Sequence, residues 1–140
     1  ASGNTIINNT IVQGDVAQPL YSLQDQNTNN AVLNLGTSNN NTFVAAPTVG
    51  SVFFNQKGSS SSLPFSAIYY NFANWKTLTG KESTSTLRLE DLSKVSLIYN
   101  DTKVPKVIQI VGTKKDLLDN VYQTSVTLQP FTSLLLISVP

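Results

Sequence analysis

Short runs of β-branched and aromatic residues, bounded by Asn, Gly, Ser or Pro, recur along the chain, and helical periodicity is scarce, which predicts a mostly β protein. The first half carries a weak internal echo. The segments TIINN, TIVQ and PLYSL, between Thr5 and Leu23, are followed by AVLNL, NTFVA and SVFFNQ, between Ala31 and Gln56. Corresponding segments lie roughly 25 to 32 residues apart, a period suited to one three-sided coil per repeat. In a parallel β-solenoid, inward side chains stack on the coils above and below. A corner asparagine can then join a ladder of amides while tolerating a left-handed backbone. Asn8, Asn9, Asn34 and Asn55 are candidates for such corners. Ordinary Asn-rich turns in an antiparallel sandwich would leave a similar pattern, and the sequence keeps both readings open.

The segment KGSSSSLP, Lys57 to Pro64, is the strongest break, because a serine run ended by proline reads as an exposed loop or hinge. It divides the chain into solenoid-like coils at 1–56, a Ser-rich loop at 57–64, and a short helix plus carboxy-terminal antiparallel β module at 65–140. The helix is expected in YNFANWKTLTGKES. There Asn71 can cap, Phe72, Trp75 and Leu78 recur at spacing three, and Gly80 can close the helix in the left-handed region. Beyond it KVSLIYN, PKVIQIV, TSVTLQP and TSLLLISV read as strands, with GTKKDLLDN as a polar turn. Val126 and Leu128 alternate with Ser125, Thr127 and Gln129, the pattern of a half-buried antiparallel strand. The run Leu134 to Ile137 is apolar on both faces and is expected at the centre of a sheet.

NWKTLTGKES followed by LIYNDTKVPKVIQI and VTLQPFTSLLLIS resembles the carboxy-terminal region of secreted right-handed parallel β-helix proteins of the pectate-lyase-like class, of the Bacteroidetes type. The matching residues are Trp75, Thr79, Gly80, Glu82 and Ser83, then Leu128, Pro130, Phe131, Ser133, Leu136 and Ile137. The likeness covers most of the second half; the first half matches only as generic coils. It implies an all-β fold of terminal solenoid coils, a short helix and a small antiparallel β module, cut from a longer chain whose relatives bind or degrade polysaccharide. The central coils that carry calcium-binding carboxylates and the catalytic base in such lyases have no counterpart in these residues.

Composition narrows the chemistry. The chain has no His and no Cys, which removes the commonest general base, the soft metal ligands and both standard nucleophilic triads. Its carboxylates offer one cluster, Glu82 with Glu90 and Asp91, and one spaced pair, Asp116 and Asp119. Acids on polar turns are ordinarily solvated, and Lys114 and Lys115 oppose calcium beside Asp116, Asp119 and Asn120. No catalytic residue, metal site or cofactor is therefore assigned, and the chain is read as not an enzyme.

Only 12% of residues are charged, with a net charge of +1, against about 25% in ordinary soluble domains. This argues against a nucleic-acid partner and suits a secreted or cell-surface β protein. No run approaches the ~20 apolar residues of a membrane span, so no membrane partner is expected. The amino terminus lacks the pattern of a signal peptide, so either a signal has been removed or the chain is part of something longer. For polysaccharide the candidate contacts are Tyr69, Tyr70 and Trp75, with Asn71 and Asn74 beside them, since aromatic faces stack on sugar rings and amides bind hydroxyls. Trp75 has a competing role in packing the helix on the sheet. The uncharged stretch Asn4 to Val12 reads as an open β edge at Asn4, Ile6, Asn8, Thr10 and Val12. Such an edge would pair with parent-chain coils or with another copy. The leading expectation is a noncatalytic extracellular capping module of a β-helix protein that contacts carbohydrate. A self-associating subunit of a fibre or surface assembly is the alternative, and a polysaccharide lyase or hydrolase fragment the second.

Overall fold

The computed structural model describes residues 3–25, 36–47, 52–57 and 66–140. They fall into two compact units, Ala1–Leu89 and Glu90–Pro140. Asn34, AVLNL and nearly all of KGSSSSLP lie outside the described residues. The architecture is a mixture of parallel and antiparallel β-sheet with one short helix.

In the first unit, β1 (Thr5–Ile7), β2 (Thr10–Val12) and β3 (Tyr21–Asp25) make one pass of the chain, and β4 (Thr37–Asn39), β5 (Thr42–Ala45) and β6 (Phe53–Lys57) make the next. Each strand pairs in parallel with its counterpart 32 residues on: Thr5 with Thr37, Thr10 with Thr42 and Tyr21 with Phe53. The repeat is thus constant, and one expected correspondence is wrong. TIINN stacks on Thr37–Asn41 and not on AVLNL, because the side chains that match across the pass are TxxNNT, at 5–10 and 37–42, and not the apolar run.

The third pass is interrupted. From β6 the chain doubles back as β7 (Ser66–Tyr70), antiparallel to β6, and enters α1 (Phe72–Thr79). It then resumes the parallel order as β8 (Thr86–Leu89), which pairs with β5 through Thr42 and Thr86, 44 residues apart. Asn71 caps α1 by accepting from Asn74 N at 2.8 Å, and Gly80 closes it at φ 63° with its N–H donating to Lys76 O. The helix buries Trp75 and Thr79 and half-buries Phe72, whereas Leu78 is exposed. At 100° per residue, position i+7 returns to within 20° of Phe72, while i+6 swings 120° away. The spacing-three face expected for Leu78 therefore drifts off the core.

The core lies between the passes. Phe43, Phe53 and Trp75 are fully enclosed, with Leu20, Ala45 and Val52 around them. Phe43 meets Phe53 edge-on at 5.1 Å, and Trp75 stacks on Phe53 at 5.3 Å and tilts against Tyr21 at 5.6 Å. Stacking itself supplies the burial. In the column Ile11–Phe43–Leu87 the middle residue is enclosed and the outer two are half-buried, because among the described residues only the middle strand, β5, has a β neighbour on both sides.

The second unit is antiparallel. It has β9 (Val95–Tyr99), β10 (Lys106–Gln109), β11 (Lys114–Lys115), β12 (Val121–Tyr122), β13 (Ser125–Leu128) and β14 (Ser133–Ser138). Its larger sheet runs β12-β11-β14-β9, with β10 and β13 forming a separate pair. The apolar strand β14 is interior, with Leu136 and Ile137 buried. Asn100 pins the turn after β9. Its amide donates to Val104 O, Leu128 O and Gln129 O at 2.8–3.1 Å, and its carbonyl accepts from Thr102.

Candidate functional site

The most organised polar structure is the corner between β1 and β2 and its repeats below. Asn8 and Asn40 both hold left-handed backbone, φ 59° and 56°, a conformation asparagine accepts more readily than most residues. Asn40 Nδ2 donates to Asn8 Oδ1. One residue on, Asn9 N donates to Asn41 Oδ1 at 2.9 Å, Asn41 Nδ2 donates to Ile6 O at 2.9 Å, and Asn41 N donates to Ser85 Oγ at 2.7 Å. Between Asn9 and Asn41 the ladder is directional: the upper pass offers backbone N–H and C=O, and the lower pass answers with the Asn41 side-chain amide.

Asn8 and Asn9 occupy the corners expected of them. Asn55 does not: it is buried in mid-strand β6 between Leu23 and Ile68, and its Oδ1 has no hydrogen-bond partner. The edge residues are divided by the corner. Asn4 and Ile6 belong to the β1–β4 side, Thr10 and Val12 to the β2–β5–β8 side. Ile6 turns inward above Ser38 and is half-buried, while Asn4, Asn8, Thr10 and Val12 are exposed. Strict alternation breaks because the left-handed residue at Asn8 resets the phase. Among the described residues β1, β2 and β3 each have a β neighbour on one side only.

At the third level Glu82 takes the position below Ser38, again left-handed at φ 60°. It is fully enclosed. Its carboxylate accepts from Ser38 Oγ and Ser85 Oγ, and from Asn41 Nδ2 at 3.1 Å, while Glu82 N donates to Ser38 O at 3.0 Å. Burial is the main cause that raises the Tyr21 hydroxyl above its ordinary pKa; a hydrogen bond with Ser38 opposes it and the charge of Glu82 adds to it. The composition shows Glu82 only as one acid among eight. Residues 81–86 read KESTST and keep only the last Thr of the TxxNNT repeat, so the cluster is found from the β5–β8 register and not from the repeat.

The other carboxylates also serve local structure. Asp91 accepts from Ser93 Oγ at 2.6 Å and Ser93 N at 3.1 Å, and these bonds, side chain first, hold its pKa low. Asp116 is buried, contrary to the solvated turn expected. Its carboxylate accepts from Leu118 N, Asn120 N, Asn120 Nδ2 and Tyr122 Oη at 2.8–3.0 Å. Desolvation pushes the Asp116 pKa up, but the bonds from Asn120, Leu118 and Tyr122 outweigh it and the net shift is downward. Asp119 approaches Lys115 at 3.4 Å. Among the described residues no three of Asp, Glu, His or Cys are grouped to hold a metal ion.

The aromatic candidates separate by face. Trp75 is fully enclosed in the core and presents no ring face to a ligand, and Tyr70 is half-buried against it at 6.3 Å. Tyr69 points the other way, 54% exposed, and pairs with Phe54 at 4.9 Å on the outer face of β6–β7. Asn71 is committed to its cap and Asn74 is exposed on the helix. Phe54 was not among the residues expected; its register opposite Tyr69 is a tertiary property. Among the described residues no helix is long and apolar enough to cross a membrane. Comparison with protein-family models, with curated proteins and with solved structures finds no match to this chain.

Proposed function

We propose that the chain is a noncatalytic, extracellular capping module that ends a parallel β-solenoid. The observation that carries this reading is the asymmetry of the first unit. On one side the parallel series is broken by β7, which runs antiparallel to β6, and by α1. On the other side, among the described residues, β1, β2 and β3 are edge strands in parallel register with the pass below. Low charge and the resemblance of the second half to secreted β-helix proteins support the extracellular setting. The test is a tandem chain in which residues 4–35 are duplicated ahead of Asn4, adding one pass at the native period. If the module accepts coils, urea unfolding followed by the fluorescence of Trp75, the single tryptophan, remains one transition with a steeper m-value. An added pass that melts separately, leaving the Trp75 transition unchanged, would refute it.

Carbohydrate contact is a further part of the proposal, placed on the outward pair Phe54 and Tyr69. Titration calorimetry against plant and algal polysaccharides, with Tyr69→Ala as the control, tests it; no heat from the panel leaves the structural role alone. A fibre or surface-assembly subunit is the competing reading, supported by the uncharged edge of β1 and β2. Light scattering over a concentration series separates the two.

A further inference from the structure

The corner ladder specifies the chemistry of the pass that the open edge receives, an inference that rests on the capping reading and goes beyond it. Between the two complete passes the hydrogen bonds have a fixed sense. Thr37 N and Thr42 N donate upward to Asn4 O and Asn9 O at 2.8 Å each, and Gln13 N donates downward to Val44 O at 2.9 Å. Asn40 Nδ2 donates upward to Asn8 Oδ1, Asn41 Nδ2 donates upward to Ile6 O, and Asn41 Oδ1 accepts from Asn9 N above. Moved up by one 32-residue period, the same set leaves Thr5 N, Thr10 N, Val12 O and Asn8 Nδ2 facing the edge, with Asn9 in the register position of Asn41.

Asn9 departs from its repeat in one respect. Asn41 Nδ2 reaches the carbonyl of the pass above, whereas Asn9 Nδ2 folds back on Ile7 O of its own pass at 3.0 Å and leans on Asn41 Oδ1 at 3.3 Å. The amide is thus held by a local bond in the position where its counterpart makes a bond between passes.

We infer that the edge at Asn4–Val12 docks a parallel β pass carrying a side-chain hydrogen-bond acceptor on a left-handed residue directly above Asn8. That pass supplies three groups at the corner: a side-chain oxygen for Asn8 Nδ2, a backbone N–H for Asn9 Oδ1, and a backbone carbonyl for Asn9 Nδ2. Asparagine or aspartate meets the first requirement, since both carry a side-chain oxygen and tolerate positive φ. A second copy of this chain meets it poorly. It could offer only its own open edge, and that edge, turned over to face this one, runs antiparallel and cannot reproduce the parallel corner ladder seen between the passes. The occupant is therefore a solenoid coil with a free lower edge.

Three tandem chains test this, each with residues 4–35 duplicated ahead of Asn4: one with the added copy unchanged, one with Asn8→Asp in that copy, and one with Asn8→Gly. Glycine keeps access to the left-handed backbone and loses the acceptor; aspartate keeps both. Amide hydrogen exchange is read at Thr5 and Thr10 of the original pass, with Phe43 and Phe53 as internal controls. Exchange at Thr5 and Thr10 should slow by about tenfold or more in the unchanged and Asp chains, and most of that protection should be absent in the Gly chain. Equal protection in all three overturns the corner requirement and leaves the capping reading standing. No protection in any of them, with Phe43 and Phe53 still protected, overturns the capping reading itself. Concentration-dependent protection of Thr5 and Thr10 in the unduplicated chain would assign the edge to a second copy and overturn the inference.

Discussion

Replacing Glu82 with alanine tests the idea that a buried carboxylate holds the third level of the stack to the second. The side chain is fully enclosed, and its oxygens accept from two serine hydroxyls and one amide. Truncation leaves these donors unequally placed. Asn41 keeps its bond to Ile6 O at 2.9 Å, so the loss falls on Ser38 and Ser85. A buried donor left unsatisfied costs about 1–3 kcal/mol, which makes about 2–6 kcal/mol for two hydroxyls. Removing the need to desolvate the carboxylate offsets part of that. The expected net destabilisation is about 2–4 kcal/mol. Glu82→Gln preserves shape and one acceptor but turns an NH₂ toward a site filled by donors. The hydroxyls can rotate to accept from it, so it should cost less, about 1–2 kcal/mol. Urea unfolding monitored by Trp75 fluorescence reads both variants. An alanine variant within 0.5 kcal/mol of the parent, or a glutamine variant less stable than the alanine one, would refute the reasoning.

Four further outcomes are expected. Gly36 and Gly80 are both left-handed, φ 83° and 63°, but a Cβ at Gly36 would sit 2.7 Å from Asn4 N whereas one at Gly80 meets nothing within 4 Å. Gly80→Ala should thus cost only the conformational ~1 kcal/mol, while Gly36→Ala should cost clearly more and expose the β1–β4 amides to hydrogen exchange; equal losses would contradict the close approach. Asn100→Ala strips the amide donor from three backbone carbonyls and should destabilise the second unit by about 2–4 kcal/mol in thermal unfolding. The folded-state pKa of Asp116 lies below its unfolded value, so its contribution is full above the unfolded carboxylate pKa and disappears as pH falls through the lower folded one. Asp116→Asn should flatten that acid limb, and an unchanged acid-unfolding curve would contradict it. Tyr69→Ala, on the solvent face, should leave the melting temperature within about 2 °C while removing any polysaccharide binding that calorimetry detects.

The local features were legible because they depend on neighbours in sequence. Asn71 and Gly80 bracket α1 as cap and stop, alternation marks β13, a run apolar on both faces marks β14, and the amide of Asn8 suits a left-handed corner. The TxxNNT match between 5–10 and 37–42 is also legible in the sequence, and it, not the apolar likeness of TIINN to AVLNL, gives the register of the first two passes.

What only the tertiary structure decided is which groups distant in the sequence come together. Glu82 receives Ser38 and Asn41, Tyr69 receives Phe54, and Leu78 loses its place in the core to Thr79. Each of these depends on the register of one pass over another or on the angle of a helix against a sheet. A one-residue slip reverses every side chain on a strand, so composition and spacing can name the candidates for such contacts, and only the packing of the passes selects among them.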